Sequence, residues 1–183
     1  RTPRELFALG DRLGFDPQPL VYASRMSAKV DSAALQDGYQ IYHHTFILTA
    51  DGEWAVVQQG MNTETRWARR YHWLSSAVDD FVCEPHEAVC CDERREVLNM
   101  VARESEGSRR ASAALAGERP EKLARDIERM RELDLPRRHH VLLDDIDPRR
   151  MQKIFLKTYE RQPEDFESLL GMEGVGPKTV RAL

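Results

Sequence analysis

The sequence predicts an α+β fold, predominantly helical, in which one β-hairpin (about residues 39–60) packs on helices and a helix-hairpin-helix closes the chain. Three observations carry that expectation. Tyr39 to Thr49 is rich in aromatic and β-branched residues, turns at Asp51-Gly52 and returns through Glu53 to Gly60. The flanking segments carry apolar residues at helical spacing, punctuated by Pro and Gly. Near the C-terminus two apolar stretches meet at Gly174, Val175, Gly176 and Pro177.

Taken in order, Thr2-Pro3 and Asp16-Pro17 each set a capping residue before a Pro at the first helical position, which predicts two short helices with Gly14 ending the first. Met26, Val30, Ala34 and Leu35 give a helix from Ser24 to Gln36 one buried face, and it stops at Asp37-Gly38. After the hairpin, helices are expected at 63–74, 92–116, 120–133, 147–160 and 163–171. A lone hairpin is not stable, so it must pack on helices or pair with other strands. The expected division is a mixed body over 1–146 and a helical region over 147–183 that ends in a truncated helix-hairpin-helix.

A chain of 183 residues with 41% hydrophobic content can bury a sizeable core. Its longest apolar runs, such as Phe46 to Leu48, fall far short of the ~20 residues a membrane crossing needs, and no signal peptide opens it. Cys83, Cys90 and Cys91 make no disulfide framework, and reduced thiols fit a cytoplasmic home. A net charge of −4 excludes indiscriminate coating of nucleic acid, which needs a large basic surface, so any such contact must be local. There is no initiator Met and the chain stops at Leu183 within a helix, so a piece of a longer protein is expected.

The C-terminal motif carries the sharpest signal. Phe166 to Leu170 precede Gly174-Val175-Gly176, and Pro177, Lys178 and Thr179 follow. Glycines permit positive φ and close backbone approach, and Pro starts a helix without wasting a donor. The N–H groups at that helix start bind phosphate, and Lys178 and Thr179 would add bonds to it. Such contacts hold DNA by its backbone without reading bases. An ordinary helical hairpin with Gly as a cap is the alternative. One module binds feebly, so a second copy or repair partners are expected to help.

The open end of the β-hairpin is polar. With a two-residue turn, Ala50 pairs with Glu53 and His44 stands opposite Gln59. Gln40, His43, His44, Gln58 and Gln59 then gather near Asp37. A nuclease needs carboxylates and imidazoles to hold a cation that activates water. Asp31, Asp37 and His43 could bind Mg²⁺ or Mn²⁺, with Asp37, His43, His44 and Gln59 as catalytic groups and a histidine accepting the proton from water. Alternation sends His43 and His44 to opposite faces unless a bulge intervenes, and a satisfied polar network is the plainer reading.

On the expected helix 63–74, Trp67, Tyr71 and Leu74 form an inward stripe, leaving Arg66, Arg69, Arg70 and Trp73 as a cradle for a nucleic-acid strand or as a solvated charged face. Cys83, His86, Cys90 and Cys91 have zinc-ligand types, but adjacent cysteines seldom both ligate and no second knuckle follows. Arg137 to His140 could touch phosphate, although the acidic Asp144 to Asp147 close behind favours a salt-bridged loop.

The stretches Ala28 to Asp31, Ala34 to Gln40, Tyr42 to Phe46, Trp54 to Met61, Ala68 to Leu74 and Gly174 to Lys178 resemble one prokaryotic family throughout the chain. It is catalogued as a domain of unknown function, number seven hundred and sixty-three. The resemblance implies segments beyond both ends and assigns no activity. It directs attention to the polar hairpin block as a working part attached to a DNA-holding module. The resulting expectation is a protein of DNA processing or repair, a metal-dependent nuclease, with a non-catalytic DNA-binding or scaffold protein as the alternative.

Overall fold

The computed structural model describes residues 2–92, 97–130 and 148–183. The chain forms two compact units, Arg1–Arg103 and Glu104–Leu183. The division expected at 146/147 lies outside the described residues. The architecture is α+β with more helix than strand, as the sequence predicts.

The first unit opens with α1 (Thr2–Leu13) and α2 (Gln18–Lys29). Gly14 ends α1 in the left-handed region at φ +76°, its N–H bonded to Gly10 C=O at 2.8 Å. Asp16 Oδ1 accepts from Gln18 N–H at 3.0 Å at the start of α2. The separate helix expected from Ser24 does not exist, because α2 runs through it and continues as a π-helical turn, Val30–Ala34, into the short strand β1 (Leu35–Gln36). The wider turn leaves Val30, Asp31, Ala33 and Ala34 all buried.

The hairpin is half of a four-stranded antiparallel sheet in the order β2 (Gln40–Leu48), β3 (Trp54–Met61), β4 (Ala68–Leu74) and β5 (Ala88–Cys91). β1 pairs apart from it, with β6 (Leu98–Asn99). The helix expected at 63–74 is therefore replaced by β4. Arg69, Tyr71 and Trp73 are buried and alternate with less buried neighbours, a period of two. An arginine within the inward set hides that pattern from a hydrophobicity reading. The helix expected at 92–116 begins only at Glu106, after β6 and a 3-10 turn.

The hairpin loop has three residues instead of two. Thr49 N–H bonds Glu53 C=O at 2.9 Å, and Gly52 takes φ +92°, which suits the left-handed position of such a loop. The register is therefore one step from expectation, with His44 opposite Gln58 and His43 opposite Gln59, and a bulge lies between Ile41 and His43. A one-residue slip exchanges sheet faces, so Gln58 is the glutamine that turns inward, and it is fully buried.

On the inner face, Phe46, Leu48 and Trp54 pack against Leu6, Leu20 and Val21 of α1 and α2. Phe46 and Trp54 stack at 5.8 Å, and Trp73 stacks on Phe81 at 6.0 Å. The second unit comprises α3 (Glu106–Ala116), α4 (Pro120–Met130), α5 (Pro148–Arg161), α6 (Phe166–Gly171) and α7 (Pro177–Ala182). Leu123, Ile127, Met151 and Phe155 form a core there, which Ala182 and Leu183 join. Residues 131–147, which include Arg137 to His140 and Asp144 to Asp147, lie outside the described residues. No described helix is long and apolar enough to cross a membrane.

Candidate functional site

A buried polar network fills the space between α2, the π turn and the inner sheet face. Asp31 Oδ2 accepts from Trp73 Nε1 at 3.0 Å and from Gln58 Nε2, while Oδ1 meets His86 Nε2 at 2.5 Å. Burial is the main influence on this carboxyl and raises it above its ordinary value of 3.8, against the opposing pull of His86. Asp37 forms a second centre. Its Oδ2 accepts from Arg69 Nη1 at 2.7 Å and from the Tyr71 hydroxyl at 2.5 Å, and its Oδ1 accepts from Tyr39 N–H at 3.0 Å. Burial first, and then the Asp37 charge, hold Tyr71 well above the ordinary phenol range, so it remains a donor. The Arg69 guanidinium also lies 4.4 Å from the Tyr39 ring centroid.

The Asp31 centre is linked to a third group through Gln58. Its Nε2 faces Ser27 C=O at 3.0 Å and the Asp31 carboxylate, both acceptors, which fixes the amide orientation and leaves Oε1 to accept. Oε1 lies 3.0 Å from His44 Nδ1, so that nitrogen carries the proton. His44 Nε2, 3.1 Å from Ser24 Oγ, is then an acceptor for the serine hydroxyl when the ring is neutral. The chain thus runs Ser24, His44, Gln58, Asp31, His86. It ties α2 to β2 and β3, and reaches across 55 residues to His86.

The residues expected to form one metal site are distributed differently. Asp31 and Asp37 are buried among protein donors, and His44 belongs to the inner network. His43 is exposed on the other face, its Nε2 2.8 Å from Thr45 Oγ1, and Gln59 pairs with it there in register. Among the described residues, no group of three or more His, Cys, Asp or Glu side chains is placed to hold a metal ion. Of the expected arginine cradle, Arg69 is buried on Asp37 and Trp73 is buried on Asp31, while Arg66 and Arg70 are exposed. Trp67, expected inside, is 47% exposed.

His86, Tyr71 and Ser24 were not among the expected site residues, and Gln58 was expected in the polar end of the hairpin but not as a working group, a place given to Gln59. The register slip explains Gln58, and the misread strand explains Tyr71. His86 stands out in sequence only beside Cys83, where it reads as a zinc ligand. Ser24 carries no sequence signal of its role.

In the second unit, α6 is capped by Asp165, whose Oδ1 accepts from Ser168 N–H at 2.7 Å. α6 and α7 are joined by a tight turn in which Met172 and Val175 are buried. Gly174 takes φ +91° there, a conformation that glycine alone adopts readily, and lies close to Ile154 of α5. Gly176 is the N-cap of α7, extended at φ −146°, and a Cβ on it would meet nothing within 4 Å. The first bond of α7 runs from Val180 N–H to Gly176 C=O at 3.0 Å. Lys178 is exposed, whereas Thr179 is buried at 2%, so its hydroxyl does not face solvent as expected. Lys157 of α5 reaches Glu173 in the turn at 3.8 Å.

No curated protein and no solved structure matches the chain. A family model does, over residues 1–183, and its description is protein of unknown function (DUF763), so the chain belongs to that family.

Proposed function

We propose that the chain is a DNA-binding protein that grips the sugar-phosphate backbone through the turn at 172–178 and does not read bases. The observation that carries this reading is the Gly176 N-cap, half-buried next to buried Val175, with open space where a Cβ would sit and exposed Pro177 and Lys178 following. Backbone amides at such a helix start, beside a lysine, suit a phosphate oxygen. Local charge agrees. Residues 148–183 contain seven Arg and Lys against five Asp and Glu, a surplus of two, in a chain whose net charge is −4.

The geometry favours a non-catalytic role over an Mg²⁺- or Mn²⁺-dependent nuclease. To hold a cation, Asp37 would have to give up Arg69 and Tyr71, and Asp31 would have to give up Trp73 and Gln58. The test is fluorescence anisotropy with labelled duplex and single-stranded DNA over a salt series, with cleavage followed in parallel in Mn²⁺ or EDTA. Salt-dependent binding without cleavage is expected. Metal-dependent cleavage that Asp37→Ala abolishes would restore the nuclease reading, and absence of salt-dependent binding would remove the DNA reading altogether.

A further inference from the structure

The face of the four-stranded sheet that turns away from α1 and α2 carries a different set of residues from the buried network. His43, Gln59, Arg70 and Cys90 stand in one row across all four strands, and Val57 and His72 are neighbours in the next. Its β2, β3, β4 and β5 positions contain no Asp or Glu. Arg70, His43 and Cys90 are exposed, as are Tyr42 at 57% and Ile47 at 51%. Tyr42 is the residue that the bulge adds between Ile41 and His43, beside the row. The 62–67 loop, with exposed Arg66 and half-exposed Trp67, borders the same end of the sheet.

Arg70 on a face whose strand positions carry no carboxylate, with Arg66 in the bordering loop beside Glu64, suits an anionic backbone. Exposed aromatic and aliphatic groups beside it suit bases that are not already stacked in a duplex. We infer that this face binds single-stranded nucleic acid, with Arg70, His43 and Gln59 holding the backbone and Tyr42 stacking on a base. Arginine supplies planar bidentate donors to phosphate, and an aromatic ring accepts any base, so binding tolerates sequence. The bulge has a role here, since it lets Tyr42 and His43 adjoin the Arg70 row while His44 remains inside. The inference stands on the first unit alone and does not depend on the turn at 172–178.

The test is anisotropy of labelled oligo(dT) and of a labelled duplex with the full chain, its Arg70→Glu, Tyr42→Ala and Gly176→Glu variants, and circular dichroism to check folding. Oligo(dT) affinity should fall about tenfold or more in Arg70→Glu and in Tyr42→Ala. Duplex affinity should fall only in Gly176→Glu. Wild-type chain photo-crosslinked to iodouracil-substituted oligo(dT) should carry the adduct at or beside Tyr42, which keeps the proposal testable if a variant misfolds. Wild-type affinity for oligo(dT) in both sheet variants, an adduct confined to other regions, or a stable dimer dissolved by Arg70→Glu would each overturn it. Failure of the duplex result alone would count against the turn and leave the sheet face standing.

Discussion

Arg69 Nη1 and Asp37 Oδ2 lie 2.7 Å apart with both side chains closed off from solvent, and the Tyr71 hydroxyl shares that oxygen. Arg69→Ala leaves a buried carboxylate short of its main partner, so a loss of about 3–5 kcal/mol in urea unfolding is expected. An arginine serving only a nucleic-acid strand would behave otherwise, with stability held to within about 0.5 kcal/mol and affinity reduced.

In its neutral form His44 should be the Nδ1-protonated tautomer, because Gln58 Oε1 can only accept and Ser24 Oγ can donate to Nε2. Nitrogen-15 chemical shifts of the imidazole should show a protonated Nδ1 and a bare Nε2. The reverse assignment would mean that the Gln58 amide is not held by Ser27 and Asp31.

Asp31 makes stability pH-dependent with a definite sign. Its folded carboxyl is raised above 3.8 by burial, so its stabilising protonated form is fully present below that value and is lost as pH rises through the raised one. Asp31→Asn removes this titration. The melting-temperature advantage of wild type over the variant should narrow as pH rises from roughly 4 to 8, and a widening gap would contradict the sign.

Asp165→Ala should cost about 1 kcal/mol, since it removes the side-chain acceptor from Ser168 N–H at the head of α6. The Ser168 bonds lower this carboxyl below 3.8, so the stability they add is present above that value and is lost as pH falls through the lowered one. An unchanged urea midpoint near neutral pH would show that the cap is not formed in solution.

How far the sequence discloses this molecule depends on whether the governing interactions are local. Helices starting near Thr2 and Asp16, the end at Gly14, the hairpin and the turn at Gly174 are all legible, because each rests on a conformational preference of a few neighbouring residues, although Pro17 and not Asp16 stands at the N-cap of α2. β4 is misread because Trp67, Tyr71 and Leu74 happen to fall at helical spacing, while the true alternation includes a buried Arg69 whose partner is 32 residues away. The π turn has no sequence mark. One residue of loop length decides that Gln58, and not Gln59, joins His44, which turns an expected open polar end into a closed network.

The most direct measurement of the central claim is duplex DNA affinity of the wild-type chain against Gly176→Glu at several salt concentrations. Gly176 has a φ that any residue adopts and open space around its Cβ, so the substitution should fold normally and place a negative charge at the anion site. The account predicts salt-dependent wild-type binding and a loss of about tenfold or more in the variant, with unchanged thermal stability. Equal affinity of the two proteins would contradict it, because the turn would then not be the place where the DNA backbone is held.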